Sequence, residues 1–523
     1  MQLPFHPAIS LTSQQSRLLR LSFFSLGSIC ILYWLFSISS SGSHGSSSPS
    51  LPGYSGHSSF ECLDSAVSVG VQFDNTTGLY RYSDEHPWIN PGTPRRRILA
   101  GSHFTAHEDV YMSLLHTISS YTDSIRVYAK GFRWGFEDVV QDLNLYSGKY
   151  YDPEQIVSDL SRDNLFSNSE DRGKKADMVI LGTCEIDMEH FSQKLFEQYL
   201  ARGEDEKFTL VCIVHNAFSV EWLVEYGADW VREGALRVMP ISEHVKRVFM
   251  YHFDSFADSP DTHQYGYDLI PIDVHVPVLP LKIASSRGTS EKMLTKAIVQ
   301  GNFDPNRRDY EGIFQDLVSE LTADPVAWGY HPVTEAEPTF KPNPNGEVTP
   351  FELHLAGDGQ MNVPDMLKEV VVVHTGLSYP EFFKLMSSMD VAIPAFSKST
   401  KGGYYEVQAS SSVAMAMMCE VPLLTTRHIH KVYTYTRSSS VSINRPTYLR
   451  EIAALRVLRA GWFEPIVPEI QPDGRRSMPP GAEEEIRSMI QAGWKRTPEG
   501  WTEWKKELDV KNHMAARRLL DGW

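Results

Sequence analysis

Positive charge is in short supply in this sequence. Aspartate and glutamate outnumber lysine and arginine by 65 to 49, which gives a formal net charge of −16. A protein whose main ligand is nucleic acid needs a basic face for the phosphate backbone. The charge balance therefore excludes nucleic acid as the principal partner.

Cysteine is also scarce. The five cysteines are widely spaced and form neither a metal-ligand pattern nor a disulfide framework. Cys30 lies in an apolar N-terminal run and Cys212 in a predicted buried strand. We expect free thiols, with pairing of Cys62 to another cysteine as the alternative.

Residues 21–38 form an uncharged hydrophobic run that is nearly long enough to span a membrane. Arg17 and Arg20 precede this run, and no lysine or arginine follows until Arg81. The positive-inside rule then places the N-terminus in the cytosol. We predict a cytosolic tail at residues 1–20 and a single-pass type II signal-anchor at 21–38. A cleaved signal peptide is the alternative.

Residues 39–94 are expected to form a stem and an N-terminal extension. The part from 39 to 59 is rich in serine, glycine and proline, which is typical of a flexible linker. Asn75 begins an Asn-Thr-Thr acceptor sequon for N-glycosylation. The sequon agrees with a lumenal position for the bulk of the chain, in the Golgi or the endoplasmic reticulum.

Two series of alternating strand and helix patterns follow the stem. Continuous apolar runs of strand length are typical of parallel strands that are buried on both faces. At 523 residues the chain is long enough for two or three domains. We predict one doubly wound domain at 95–272, a linker at 273–294, a second alternating domain at 295–440 and a helical extension at 441–523. No Gly-x-Gly-x-x-Gly motif follows the first strand, so a dinucleotide site there is not indicated.

The stretch from residue 401 to 426 carries the strongest functional pattern. Gly402 and Gly403 form a permissive loop, and Ser410, Ser411 and Ser412 offer hydroxyls at the start of a short helix rich in alanine and methionine. A brief apolar strand follows. Free N–H groups and hydroxyls at a helix N-terminus between two strands are suited to bind an anion.

The segments before this stretch are a strand at 353–359, a second strand at 370–373, a helix with the capping box Ser378–Glu381, and a strand at 389–394. This succession resembles the C-terminal nucleotide-sugar domain of GT-B glycosyltransferases of the family 1/4 type. The resemblance implies an α/β fold with two Rossmann-like, doubly wound domains that face an open cleft. It also implies that the first domain binds the acceptor and the second domain binds the nucleotide sugar.

The resemblance also implies a donor site. Gly301 follows the first strand of the second domain, and Arg307 and Arg308 would neutralise the donor diphosphate. Glu406 would bind the donor ribose. Many retaining members carry a second glutamate where this chain has Ala414 and Met415, so the stereochemical outcome stays open. Gly402, Gly403 and Ser410–Ser412 complete the predicted donor site.

Three histidines are candidates for the catalytic base. His103 and His107 lie in the loop after the first strand, where inverting GT-B enzymes often place a base, and His215 follows a buried strand. Histidine accepts a hydroxyl proton near neutral pH. A purely structural role is the alternative for each of them.

No Asp-x-Asp triplet occurs, whereas glycosyltransferases with the single-domain GT-A fold usually hold Mn²⁺ or Mg²⁺ with one. We therefore expect no metal ligands and no cofactor besides the nucleotide-sugar donor. The predicted function is metal-independent transfer of a sugar to a glycan, protein or lipid acceptor in the secretory pathway. The alternatives are a non-catalytic GT-B-like ligand-binding or scaffold protein, and a nucleotide-sugar hydrolase or epimerase.

Overall fold

The computed structural model describes residues 71–74, 79–82, 96–166, 171, 173–259, 266–282, 293–397, 403–463 and 481–521. Residues 1–89 form a unit of their own. In it the strands β1 (Val71–Asp74) and β2 (Leu79–Tyr82) pair in antiparallel register, with Val71 opposite Tyr82. The sequence did not predict this hairpin within the proposed stem. The predicted anchor at 21–38, Asn75 and Gly402 lie outside the described residues.

The first lobe of the second unit is built on a six-stranded parallel sheet with the order β5-β4-β3-β6-β7-β8. Its apolar strands are buried between helices on both faces, as the continuous hydrophobic runs predict. The strands are β3 (Ile98–Gly101), β4 (Ile125–Tyr128), β5 (Tyr150–Tyr151), β6 (Met178–Leu181), β7 (Thr209–Val214) and β8 (Leu236–Pro240).

The second lobe repeats this topology. Its sheet has the order β11-β10-β9-β12-β13-β14, again with parallel neighbours. The sheet extends to Asn444, beyond the boundary at 440 that the sequence predicts. The strands are β9 (Lys296–Gln300), β10 (Glu352–Ala356), β11 (Val371–His374), β12 (Val391–Ala392), β13 (Leu423–Thr425) and β14 (Ser442–Asn444).

Helices connect the strands and cover the sheets. Those of the first lobe are α1 (Glu108–Ser119), α2 (Phe136–Asp142), α3 (Gln155–Asp159), α4 (Cys184–Leu200), α5 (Glu221–Arg232) and α6 (Glu243–Ala257). The remaining ones are α7 (Tyr310–Ala323), α8 (Tyr379–Ser387), α9 (Ser411–Met418), α10 (Arg427–Val432), α11 (Glu451–Ala460), α12 (Ala482–Ala492) and α13 (Pro498–Asp521).

The predicted capping box at the start of α8 is confirmed. The Ser378 side chain accepts a hydrogen bond from the Glu381 backbone N–H, and the Glu381 carboxylate accepts one from the Ser378 backbone at 2.9 Å. These reciprocal bonds satisfy donors that the helix itself leaves unpaired.

The long helix α13 contacts both lobes. Near its start, Trp504 Nε1 donates to the Tyr435 carbonyl at 2.7 Å, in the second lobe. Near its end, Arg237 of β8 in the first lobe donates to the Arg518 carbonyl at 3.5 Å, and Arg518 donates to Asp273 Oδ1 at 2.6 Å. Between them, the Asn512 side chain pairs with both the N–H and the carbonyl of Val276 in the connector between the lobes. The helix therefore fastens the connector as well as both lobes.

Backbone hydrogen bonds also join the lobes directly. Ala217 donates to the Val407 carbonyl at 2.7 Å, and Ala409 donates to the His215 carbonyl at 3.1 Å. An apolar cluster with buried side chains from both lobes continues behind this contact, and it includes Val110 and Val413. We expect an open cleft from the sequence, whereas these hydrogen bonds bridge the two lobes at residues 215–217 and 407–409.

Two cysteines of the first lobe form a disulfide. Cys184 is the first residue of α4 and Cys212 lies in β7, with their Cα atoms 5.3 Å apart. Parallel pairing of β6 and β7 places Cys212 beside Leu181, three residues before Cys184. The expectation of free thiols is therefore wrong for this pair, because sheet register brings together residues that are distant in sequence.

Among the described residues, no helix combines the length and the hydropathy that a membrane span requires.

Candidate functional site

Both sheets have the same topological switch point. In each sheet the chain first adds strands on one side of the lobe's first strand and then crosses to its other side. The switch point therefore lies between β3 and β6 in the first lobe and between β9 and β12 in the second. Ligands of open parallel sheets bind in the crevice outside the carboxyl ends of the strands at such a point. The predicted donor residues at 301–308 follow β9, and His103 and His107 follow β3.

Arg308 is the central residue of the second lobe's switch point. Its side chain is only 2% exposed, yet it makes no ion pair with any carboxylate of the described residues. Its guanidinium donates to Ser412 Oγ at 2.5 Å and to the Pro394 carbonyl at 3.2 Å. The rings of Phe396 and Tyr404 lie 5.7 and 5.4 Å from its central carbon.

Gly301 makes room for this arginine. It has φ of +133°, and a Cβ at this position would lie 2.3 Å from Arg308 Nη2. A residue with a side chain is thus excluded by backbone conformation and by space. The predicted strand-end glycine therefore has a defined role, which is to let the guanidinium cross the end of β9.

Several buried polar atoms near Arg308 have no hydrogen-bond partner in the part of the chain that the structure describes. They are Arg308 Nε, the Gln300 side-chain oxygen and Ser410 Oγ. Gln300 ends β9 and Ser410 is the N-cap residue of α9, but its hydroxyl makes no capping bond. A buried cation without a counter-ion costs several kcal/mol. The position of Arg308 at the N-terminus of α9 indicates a site for an anionic ligand.

The other predicted donor residues differ from Arg308 in exposure and in local structure. Arg307 is half exposed and forms an ion pair with Asp304 at 3.4 Å, so it differs from its buried neighbour. Gly403 and Glu406 belong to a π-helix at Gly403–Val407, and the Glu406 side chain is exposed. Ser411, at the first position of α9, is exposed as well. Single π-helical turns often occur at functional sites.

In the first lobe, His107 and His215 stack with ring centroids 4.0 Å apart. His107 Nδ1 lies 3.2 Å from Thr183 Oγ1, and His215 Nε2 lies 3.0 Å from the Gly182 carbonyl. Burial and then the neighbouring His215 lower the pKa of His107 to about 2. Its imidazole therefore stays neutral at physiological pH and is a weak base.

His103 lies apart from these two rings. Its ring stacks on His190 at 3.9 Å, and its Nδ1 lies 3.3 Å from Glu154 Oε1. The backbone N–H of His103 donates to Asp187 Oδ1 at 2.8 Å, which fixes the loop after β3. The structure thus brings His107 and His215 together and places His103 in a separate cluster.

Two acids at the start of α1 were not predicted as site residues. Glu108 and Asp109 are 3% and 8% exposed and follow His107 directly. Burial and then the neighbouring Glu108 raise the pKa of Asp109 to about 7. Both acids also raise the pKa of Tyr379, from α8 of the second lobe, although burial is the larger cause. The sequence signal was the run His-Glu-Asp in the loop after a strand.

A cavity of about 740 Å³ lies elsewhere in the second lobe, beside β14 and α12. Arginines and glutamates line it together, and they are partly paired, as Arg427 is with Glu485 at 3.1 Å. None of the residues around Arg308 lines this cavity. We therefore assign the candidate site to the switch points.

Comparison with known proteins concerns the fold. No family model matches the chain, and no curated protein matches it by sequence. Among solved structures, HepE from Anabaena in complex with UDP and glucose is 10% identical and covers 79% of this chain and 100% of that chain, with a TM-score of 0.42.

The chain has a GT-B-like fold of two Rossmann-like lobes. A glycosyltransferase from Rickettsia africae is 8% identical, with 80% and 98% of the two chains covered and a TM-score of 0.41. UDP-N-acetylglucosamine 2-epimerase from Rickettsia bellii is 10% identical, with 76% and 96% covered and a TM-score of 0.35. The assignment of the fold rests on the strand order, which is the same in the two sheets.

Proposed function

We propose that this chain is a glycosyltransferase that transfers a hexose from a nucleotide-sugar donor to an acceptor hydroxyl. The observation that carries the proposal is Arg308, a buried cation without a carboxylate partner among the described residues, at the carboxyl end of β9 and the N-terminus of α9. A diphosphate would supply the missing counter-charge. Arginine binds phosphate oxygens with two parallel hydrogen bonds.

The donor would be held by groups of the second lobe. Arg308 and the first amides of α9 would bind the diphosphate, with the exposed Ser411 hydroxyl as a further donor. Glu406 would bind the ribose, and Arg307 would add charge at the open side. As the sugar–oxygen bond to the diphosphate breaks, negative charge grows on the leaving group. Preorganised donors stabilise such charge by several kcal/mol.

The acceptor would bind to the first lobe. Its hydroxyl oxygen forms the new bond to the sugar carbon, and its proton passes to a base. Asp109 has the pKa that suits this task, because a base is most effective when its pKa is near the working pH. His215 is the second candidate, since its Nε2 faces the Gly182 carbonyl and Nδ1 is then left to accept a proton. The burial of His107 makes it the weakest base.

Binding of nucleoside diphosphates tests the donor site. Arg308→Ala should weaken calorimetric binding by roughly 2–4 kcal/mol, as for truncation of a buried charge pair. Ser412→Ala should cost about 1 kcal/mol, because the backbone donors remain. Arg308→Lys should retain part of the affinity, and Arg487→Ala, which removes an exposed arginine of α12, should have no effect. If Arg308→Ala, Arg307→Ala and Ser412→Ala all bind as wild type while folded, the site is wrong.

Incubation with a panel of nucleotide sugars tests the reaction. Transfer that requires an acceptor and survives chelation of metal ions supports the proposal. Hydrolysis or epimerisation without an acceptor would show the alternative chemistry. Binding without turnover would show a ligand-binding protein.

We also propose that the chain is anchored in a membrane of the secretory pathway, in the Golgi or the endoplasmic reticulum, with its lobes in the lumen. The apolar run at 21–38 and the Asn75 sequon support this topology. The disulfide between Cys184 and Cys212 supports it independently, because disulfides persist in oxidising compartments and are rare in the cytosol.

A further inference from the structure

Three side chains from separate elements of the first lobe converge on one point outside the donor site. His103 lies in the loop after β3, Glu154 directly precedes α3, and His190 lies in α4. His190 Nε2 is 2.7 Å and His103 Nδ1 is 3.3 Å from the same oxygen, Oε1 of Glu154. All three ligand atoms lie within 4.8 Å of one another.

We propose that His103, Glu154 and His190 bind one divalent transition-metal ion of the Zn²⁺ class. Imidazole nitrogen and carboxylate oxygen are ligands that Zn²⁺ prefers, and two histidines with one glutamate form a complete set of three protein ligands. With bonds of about 2.0–2.2 Å, the ligand atoms of a tetrahedral ion lie about 3.3–3.6 Å apart. The His103–Glu154 separation of 3.3 Å lies in this range, the His190–Glu154 separation of 2.7 Å is shorter, and the two nitrogens lie within 4.8 Å of each other, so small side-chain rotations are sufficient.

The surroundings hold the ligands in place. The His103 and His190 rings stack with an interplanar angle of 20°, and both meet the Phe191 ring edge-on. Asp187, one turn before His190 in α4, accepts hydrogen bonds from the Ser102 hydroxyl and the His103 backbone. The loop that carries one ligand is therefore fastened to the helix that carries another.

The polar atoms of the cluster are poorly satisfied without an ion. His103 Nδ1 is buried, and its approach to Glu154 does not meet the geometry of a hydrogen bond. Two imidazoles thus face the same carboxylate oxygen of Glu154. The His190 ring forms a hydrogen bond with it, and the His103 ring does not. The side chains remain 31–44% exposed, which leaves a coordination position for water and a path for the ion.

The ion would fix the loop of residues 102–107, which ends at His107, directly before α1. The site is separate from the donor site and does not depend on the proposed reaction. It would tie the loop at the carboxyl edge of the first sheet to α3 and α4. Its role would be to position that loop.

Titration of the full-length, metal-free chain with ZnCl₂ tests the proposal. Wild type should bind one ion per chain, and His331→Gln, an exposed histidine outside the cluster, should bind it equally well. Removal of a residue that only supports a metal ligand typically weakens metal affinity about 10–100-fold. Glu154→Gln and His190→Gln remove ligands themselves and should weaken Zn²⁺ binding by more than this. Because these residues are partly exposed, the variants should unfold at the wild-type temperature in the absence of metal.

Co²⁺ gives a second readout. Its binding to wild type should produce the visible absorption of a tetrahedral complex with nitrogen and oxygen ligands, and Glu154→Gln should lose it. Absence of stoichiometric Zn²⁺ binding would overturn the proposal. So would equal affinity of wild type and both cluster variants.

Discussion

Arg308 and Asp109 are buried ionisable residues at the carboxyl edges of the two sheets. Arg308 is held by Ser412 and the Pro394 carbonyl, whereas Asp109 lies in the first turn of α1 next to Glu108. Burial lowers the pKa of Arg308 and raises that of Asp109. Burial of each ionisable side chain therefore lowers the stability of the fold. Such groups are expected where a ligand or a reaction requires them.

At this scale we predict a pH-dependent effect of Asp109→Asn. The pKa of Asp109 is about 7 in the folded chain, whereas an unperturbed aspartate has a pKa of 3.8, so the folded state binds this proton up to a higher pH than the unfolded state does. Wild-type stability therefore falls as pH rises from about 4 to about 7, and asparagine removes this loss. Relative to wild type, the variant should gain on the order of 2–4 kcal/mol in unfolding free energy between pH 4 and pH 8.

Urea denaturation at several pH values measures this difference. Asp138→Asn, which changes an exposed aspartate of α2, is the control and should show no such trend. If Asp109 is the base, its variant should also lose about 10²–10⁴-fold in turnover. A flat pH profile of the stability difference would contradict the assignment of a raised pKa.

At the scale of elements, α13 is the segment that links the parts of the second unit. Its apolar face is buried, with Trp501, Trp504 and Leu508 toward the start and Leu519 and Leu520 toward the end. The amphipathic, tryptophan-bearing sequence of the predicted helical extension favours such a helix. Its contacts with both lobes come from its length, which reaches from Tyr435 to Asp273.

We predict that Asn512→Ala weakens this link. The buried amide of Asn512 pairs with the Val276 N–H at 3.0 Å and with its carbonyl at 2.9 Å, and alanine leaves both backbone groups without this partner. The expected loss is about 2–4 kcal/mol, since an unsatisfied buried group costs about 1–3 kcal/mol. Lys511→Ala makes the same helix substitution at an exposed neighbour.

Urea unfolding followed by tryptophan fluorescence distinguishes the two variants. Asn512→Ala should shift the transition to lower urea, while Lys511→Ala stays close to wild type. Equal transitions for both would mean that the connector does not depend on the helix.

At the scale of the whole molecule, two lobes of identical sheet order are joined by a connector, α13 and direct backbone bonds. Their switch points place the buried Arg308 in one lobe and a cluster of histidines and acids in the other. Division of a donor and an acceptor between two lobes suits a transfer reaction. The hydrogen bonds between residues 215–217 and 407–409 connect the lobes directly.

The membrane topology is a prediction at this scale. Residues 1–20 should be cytosolic and those from about 40 onward lumenal, because arginines flank the apolar run on its N-terminal side. Deglycosidase treatment should increase the mobility of the expressed chain, and Asn75→Gln should abolish that shift. Protease added to intact vesicles should leave the lobes uncut. An unshifted band together with digestion in intact vesicles would refute the topology.

Local patterns in the sequence were sufficient for much of the fold. The apolar runs at 98–101, 178–181 and 296–300 form strands in the structure, because a strand buried on both faces must be continuously hydrophobic. The capping box of α8 is equally local. The short strand β14 was missed, since three residues carry no periodicity.

Only the tertiary structure decided which residues meet. Arg307 and Arg308 are adjacent in sequence, but packing against Ser412 and the space beside Gly301 bury one and leave the other half exposed. The disulfide and the cluster around Glu154 join residues from different strands and helices. Such contacts depend on sheet register and on connections across the sheet, which a one-dimensional pattern does not contain.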